Sequence, residues 1–198
     1  MICAPLFRRA CIVALALSAL LSAWTPALAA SPPAPVAAVR GAGVDGTVAS
    51  VIDGDTVVFA PAKGKPLEVR LAGIDAPEIC QDGGAAARAF LAEKVQGKPV
   101  RLVTGGPTGP DLGGRTAGYL FVDGAELNRL MVEEGQAHSI RVKFDQGPYV
   151  AQERMARALS RGVFKVGASS ITPKDFRVRH GPCEGQVAAP APAQAPTR

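Results

Sequence analysis

A chain of 198 residues has room for one ordinary domain with loose ends. Its formal net charge of +5 comes from 22 basic against 17 acidic residues, and aromatic residues make up only 5%. This balance excludes a strongly cationic coat protein for nucleic acid, while leaving a polyanionic partner open.

The first segment has the three parts of a secretory signal peptide: Arg8 and Arg9, an uncharged apolar run from Ala10 to Leu21, and Ala27-Leu28-Ala29 as a small-x-small cleavage site. The run falls short of the roughly 20 apolar residues that span hydrocarbon, so no stable membrane insertion is expected after cleavage. Residues 1–29 are read as the signal peptide, and the mature protein as secreted or periplasmic. Residues 30–43 and 185–198 are Ala/Pro-rich and too poor in large apolar side chains to offset the entropy of ordering, so both are read as disordered. Cleavage removes Cys3 and Cys11 and leaves Cys80 and Cys183. An even pair in an oxidising compartment predicts a disulfide. It would tie a C-terminal extension, residues 166–184, to a folded domain of residues 44–165.

Within that domain, period-two alternation predicts strands over Thr47–Ile52, Thr56–Ala60 and Leu67–Leu71, the first two joined by a tight turn at Asp53-Gly54. In the third strand Leu67, Val69 and Leu71 share one face, which puts Arg70 on the other. After Asp82 the period lengthens. Ala85, Arg88, Ala89, Leu91, Ala92 and Val95 fit a helix of about three turns, closed by Gly97. Lys98–Val103 and Thr116–Val122 read as the fourth and fifth strands. A short helix carries Leu127, Leu130 and Met131, and a third runs from Pro148 to Gly162 with Ala151, Met155, Ala158 and Leu159 facing inward. The resulting fold class is α+β, mainly β: a five-stranded OB-fold Greek-key barrel with about three packed α-helices.

Carboxylates concentrate in two stretches, Asp53-Gly54-Asp55-Thr56 and Gly73-Ile74-Asp75-Ala76-Pro77-Glu78. Neighbouring second and third strands would bring both to one end of the barrel. Asp-Gly is also a common hairpin turn, and Asp45-Gly46, Asp82-Gly83 and Asp123-Gly124 occur here without any sign of chemistry. What singles out the two stretches is company: Arg70 on a strand and Arg115 at the start of another. Carboxylates without histidine or thiolate favour a hard cation such as calcium or magnesium. A metal, a carboxylate that orients water and two guanidinium groups suffice to cleave a phosphodiester. Surface salt bridging, Arg70 with Glu68 or Asp75, is the plainer alternative for the arginines.

Taken together, Val51-Ile52-Asp53-Gly54-Asp55-Thr56, Val69-Arg70-Leu71-Ala72-Gly73-Ile74-Asp75-Ala76-Pro77-Glu78, Gly114-Arg115-Thr116-Ala117-Gly118-Tyr119, Leu127-Asn128 and Glu134-Gly135 resemble the thermonuclease, or staphylococcal-nuclease-like, family in order and spacing. The resemblance implies a calcium-dependent nuclease acting on DNA and/or RNA, with single strands preferred, 3′-phosphate products and a monomeric chain. It further implies that Asp55, Asp75 and the main-chain carbonyl of Ala76 hold Ca2+. Glu78 would be the general base, and Arg70 and Arg115 would grip the phosphate. Departures fall at Leu112 and Gly113, where familiar members place a lysine and a tyrosine, and at Arg141 and Lys143, where they place tyrosines that flank the base.

Two other classes of function stand beside this one. A catalytically silent OB-fold module that binds nucleic acid would use the same barrel, usually with aromatic stacking residues; Phe59, Tyr119 and Phe121 serve equally well as core. A structural envelope protein would account for the Ala/Pro tails. His138, read at a helix end, and His180 in a basic tail are expected to face solvent, as are Arg154, Arg157 and Arg161.

Overall fold

A computed structural model describes residues 43–105, 116–168, 171–181 and 183. The expected signal peptide, the tail of residues 185–198, nearly all of the linker of residues 30–43, and Arg115 lie outside the described residues. In chain order the elements are β1 (Gly43–Val51), β2 (Thr56–Pro61), β3 (Leu67–Leu71), β4 (Ile74–Asp75), α1 (Gly84–Val95), β5 (Val100–Thr104) and β6 (Thr116–Val122). They continue with β7 (Ala125–Glu126), α2 (Leu127–Glu133), β8 (His138–Ser139), α3 (Val150–Ala158) and α4 (Pro173–His180).

The barrel is closed by five of these strands. β1 pairs antiparallel with β2 on one side and β5 on the other, β2 pairs with β3, β5 pairs with β6, and β3 meets β6 in parallel to complete the ring. One strand serves two neighbours because β1 is long. Its first residues, Gly43–Gly46, run along β5, and its later ones along β2 past an irregularity between Val48 and Ser50. Alternation fills the interior with Val57, Phe59, Val69, Leu71, Val100, Leu102 and Leu120, all essentially without solvent exposure. Helix α1 lies against β1 and α2, and Leu91 and Met131 join the same core. The five-stranded α+β barrel expected from the sequence is therefore the fold, with a fourth helix, α4, added at its C-terminal end.

Three details differ from the sequence reading. β1 begins at Gly43 rather than Thr47, because a ladder is made by backbone groups and Gly43, Asp45 and Gly46 join it despite their turn-like character. α1 buries Gly84, Ala87, Leu91 and Val95, so its inner face is rotated from the one expected; the run Ala85-Ala86-Ala87 leaves the phase open. α3 ends at Ala158 and turns Val150, Glu153 and Ala156 inward, whereas Met155 and Leu159 are more than half exposed. The inward stripe contains a carboxylate, which an apolar pattern cannot reveal. Among the described residues no helix is long and apolar enough to cross a membrane.

Candidate active site

The site begins at the β1–β2 turn. Asp53 Oδ1 accepts the N–H of Asp55 at 2.9 Å, and the N–H groups of Ile52 and Asp53 both point to the carbonyl of Thr56. Gly54 has to be glycine here: a Cβ would stand 2.7 Å from the methyl carbons of both Ala76 and Ala87. This close approach docks the turn on the Asp75–Glu78 loop and aims Asp55 into the protein. Asp55 is 2% exposed, and its carboxylate accepts three hydrogen bonds. Thr56 Oγ1 donates to Oδ1 at 3.0 Å, while the Ala76 N–H and Arg70 Nη2 donate to Oδ2, each at 2.9 Å.

Arg70 reaches this carboxylate because strand alternation turns it away from the core. It pairs across β2 with Thr56 and across β6 with Ala117. The same Nη2 that bonds Asp55 also donates to Asp75 Oδ1 at 2.8 Å. Asp75 is placed by the short β4–β8 ladder, where it faces His138. Farther along the loop, Glu78 is fixed by its own backbone, its N–H donating to Gln81 Oε1 and its carbonyl accepting the Gln81 N–H at 2.8 Å.

Burial is the leading cause that pushes the Asp55 carboxyl up to about 7, and the Arg70 charge opposes it without cancelling it. Arg70 behaves in the opposite sense. Burial alone would lower its pKa, but Asp55 and Asp75 raise it, so the guanidinium stays charged. One ion pair therefore does not offset the dehydration of Asp55, and further positive charge at this spot is favourable.

A second arginine serves the neighbouring carboxylates, Asp75 and Glu78. Arg177, on α4, donates from Nη1 to Asp75 Oδ1 at 3.0 Å and to Glu78 Oε1 at 2.6 Å, and from Nη2 to Asp75 Oδ2 at 3.1 Å. The helix is well specified: Pro173 occupies its first turn, and the capping Thr172 accepts the Asp175 N–H through its hydroxyl. Two ties hold it to the loop beyond Glu78. Gln81 Nε2 donates to the Ile171 carbonyl at 2.9 Å, and Cys80 and Cys183 form the expected disulfide, with their Cα atoms 5.8 Å apart.

These groups line a cleft of about 730 Å³. Asp53, Arg70, Asp75 and Glu78 form its floor, His138–Arg141, Glu153 and Arg157 one wall, and Thr172–Lys174 with Arg177 the other. Glu153 is 1% exposed and organises its wall. It accepts the Ser139 N–H at 2.8 Å and lies 3.1 Å from Arg141 Nη2 and 2.7 Å from Arg157 Nη2. His138 belongs to β8, not to a helix end, and it is largely buried: its Nδ1 is 3.8 Å from Glu153 and its ring meets Phe164 edge-on. Burial, opposed by Glu153, lowers its pKa.

Asp55, Arg70, Asp75, Ala76 and Glu78 thus converge, as the sequence expects, while Arg115 lies outside the described residues. Its chain neighbour Thr116 pairs with Val69, one position before Arg70. Among the described residues no group of three or more acidic, histidine or cysteine side chains is arranged to hold a metal ion. Arginine nitrogens stand between the carboxylates instead. The donors on offer at Asp55 and Asp75 are all oxygen, and their surplus of buried negative charge fits a hard divalent ion. Arg177, His138 and Glu153 were not foreseen as site residues. For Arg177 a signal existed in Thr172-Pro173-Lys174-Asp175, a helix start whose first residue, Pro173, lies four residues ahead of it.

Residues 68–164 match the family described as "Staphylococcal nuclease homologue". The chain is 30% identical over 130 residues to an uncharacterized endonuclease of Haemophilus influenzae, covering 66% of this chain and 71% of that one. It is 31% identical over 140 residues to an uncharacterized endonuclease of Escherichia coli, covering 70% and 88%. A probable staphylococcal-like nuclease, CAN1, of Oryza sativa subsp. japonica is 32% identical over 101 residues, which span half of this chain and 29% of the rice protein. With a closed five-stranded barrel, Arg70, Asp75 and Glu78 in one cleft, and these relatives, the chain belongs to the staphylococcal nuclease homologue family.

Proposed function

We propose that the protein is an exported, calcium-dependent nuclease that hydrolyses phosphodiester bonds of DNA or RNA and leaves 3′-phosphate ends. The observation that carries this reading is the meeting of Arg70, Asp75 and Glu78 on the floor of one cleft, with the buried Asp55 bonded to Arg70 directly behind it.

Asp55, Asp75 and the Ala76 carbonyl would hold calcium, which supplies Lewis-acid stabilisation of charge on the phosphoryl oxygens. Glu78 accepts a proton from water as the water oxygen bonds to phosphorus. The bond from phosphorus to the 5′ oxygen then breaks, the leaving oxygen takes a proton from solvent, and the phosphate stays on the 3′ side. Arg70, which lines the cleft and is kept charged by Asp55 and Asp75, offsets the negative charge that grows on the equatorial oxygens. Arg115, whose chain neighbour Thr116 pairs with Val69, is assigned the same task. The basic wall formed by Arg141 and Arg157 suits a sugar–phosphate backbone better than a stacked base, which supports weak base preference.

Purified mature protein, offered single-stranded DNA, duplex DNA and RNA with calcium, magnesium or chelator, should cut in calcium and stop in chelator. End-group analysis should find 3′-phosphate. Binding without cutting in every condition would instead establish the silent binding module.

A further inference from the structure

Arg177 lies outside the residues that match the family, yet hydrogen bonds tie it to two carboxylates of the acidic floor. It takes both oxygens of Asp75 and one of Glu78, and side-chain hydrogen bonds and charge from these two carboxylates raise its pKa against the effect of burial. The position is imposed from both ends of α4, by the bond from Gln81 to Ile171 before it and the Cys80–Cys183 disulfide after it. A side chain only about a third exposed and held in this way is part of the cleft.

We infer that Arg177 is an internal counter-cation that calcium displaces from Asp75 and that then binds a phosphate of the substrate. The inference rests on the nuclease reading above. A divalent ion held by Asp75 claims oxygens that Arg177 occupies, and two cations on one carboxylate repel each other. The released guanidinium cannot leave, because α4 is tied at both ends. It remains beside Arg70 and Lys174, which line the same cleft, and the ligand chemistry that satisfies a planar fork there is a phosphodiester. Arg177 thereby couples metal and substrate: without substrate it opposes calcium, and with substrate it adds a phosphate contact. Coupling of this kind is reciprocal in the two binding affinities.

The test uses the oxidised mature protein and two variants, Arg177→Gln and Arg177→Lys. Calcium binding is measured by calorimetry without nucleic acid, and binding of a non-cleavable phosphorothioate single strand by anisotropy at saturating calcium. For Arg177→Gln we expect calcium to bind several-fold more tightly and the oligonucleotide about tenfold more weakly, with a log–log salt slope shallower by about 0.7. Arg177→Lys should keep calcium near the wild-type affinity and still weaken the oligonucleotide, since the fork is lost. Unchanged or weaker calcium binding in Arg177→Gln overturns the displacement, and unchanged oligonucleotide affinity overturns the phosphate contact. A wild-type protein that binds neither probe rejects the nuclease reading itself, before any variant is made.

Discussion

The side-chain amide of Asn128 donates to the carbonyl of Ala72 at 2.9 Å, across the junction between the barrel and the acidic loop. The same amide donates to the Gly118 carbonyl at 3.1 Å, and its oxygen accepts the Leu120 N–H. Asn128 has no solvent exposure, so no water replaces these bonds when the side chain is cut back. Asn128→Ala should therefore cost about 2 to 4 kcal/mol in denaturant unfolding. Ala72 precedes the turn that places Asp75, so residual activity should fall further than the folded fraction explains. A variant with wild-type stability would show that the three bonds contribute nothing net.

Asp55 predicts an unusual pH dependence for the metal-free protein. Its folded pKa of about 7 lies above its ordinary value of 3.8, so in that window the folded state holds more protons than the unfolded state. The Asp55 contribution to stability is fully present below pH 3.8 and is lost as pH rises toward 7. Asp55→Asn, which cannot ionise, should lack this decline, so the difference between the two unfolding curves isolates it. A difference that does not change between pH 4 and 7 would mean that Asp55 ionises freely in the folded protein.

Glu78→Gln keeps size and hydrogen bonding and removes the charge that the proposed mechanism uses to accept a proton. Single-turnover cleavage should slow by a factor of about 10² to 10⁴, with affinity for a non-cleavable strand nearly unchanged. Asp55→Asn should differ in kind, regaining part of its activity at high calcium. Cleavage by Glu78→Gln at the wild-type rate would remove Glu78 from the mechanism.

The disulfide joins residues 103 apart in sequence. Chain entropy sets its contribution at up to about 4 to 5 kcal/mol. Reduction should lower Tm and make α4 the first segment cut by a protease, and thiol titration of the native mature protein should find no reactive cysteine. Two reactive thiols per chain would contradict the bond.

The barrel and the floor of the cleft were legible in the sequence because they depend on local rules. Alternation around Arg70 fixes its outward direction, and the Asp-Gly turn delivers Asp55 to the end of β2. The walls were not legible for a different reason. Glu153 sits on the inner stripe of α3, where an apolar pattern expects a hydrophobic side chain, and its burial depends on Arg141, Arg157 and the Ser139 N–H, which arrive from elsewhere. His138 looked like a solvent-side residue until the β4–β8 ladder set it opposite Asp75. Arg177 meets Asp75 and Glu78 across about 100 residues of chain, a distance over which no sequence periodicity carries information.

Barrel closure also sets an order in time. The hairpin of β1 and β2 and the bond between Asp55 and Arg70 join residues close in sequence, whereas the parallel seam of β3 with β6 and the arrival of α4 close much longer loops. Long loops cost entropy before their contacts repay it, so these are the slow events of folding. A partly folded chain has its acidic turn and Arg70 but neither the neighbouring strand that begins beside Arg115 nor the helix that carries Arg177. The cleft is therefore completed last, when the segment that carries Arg177 docks against its acidic floor.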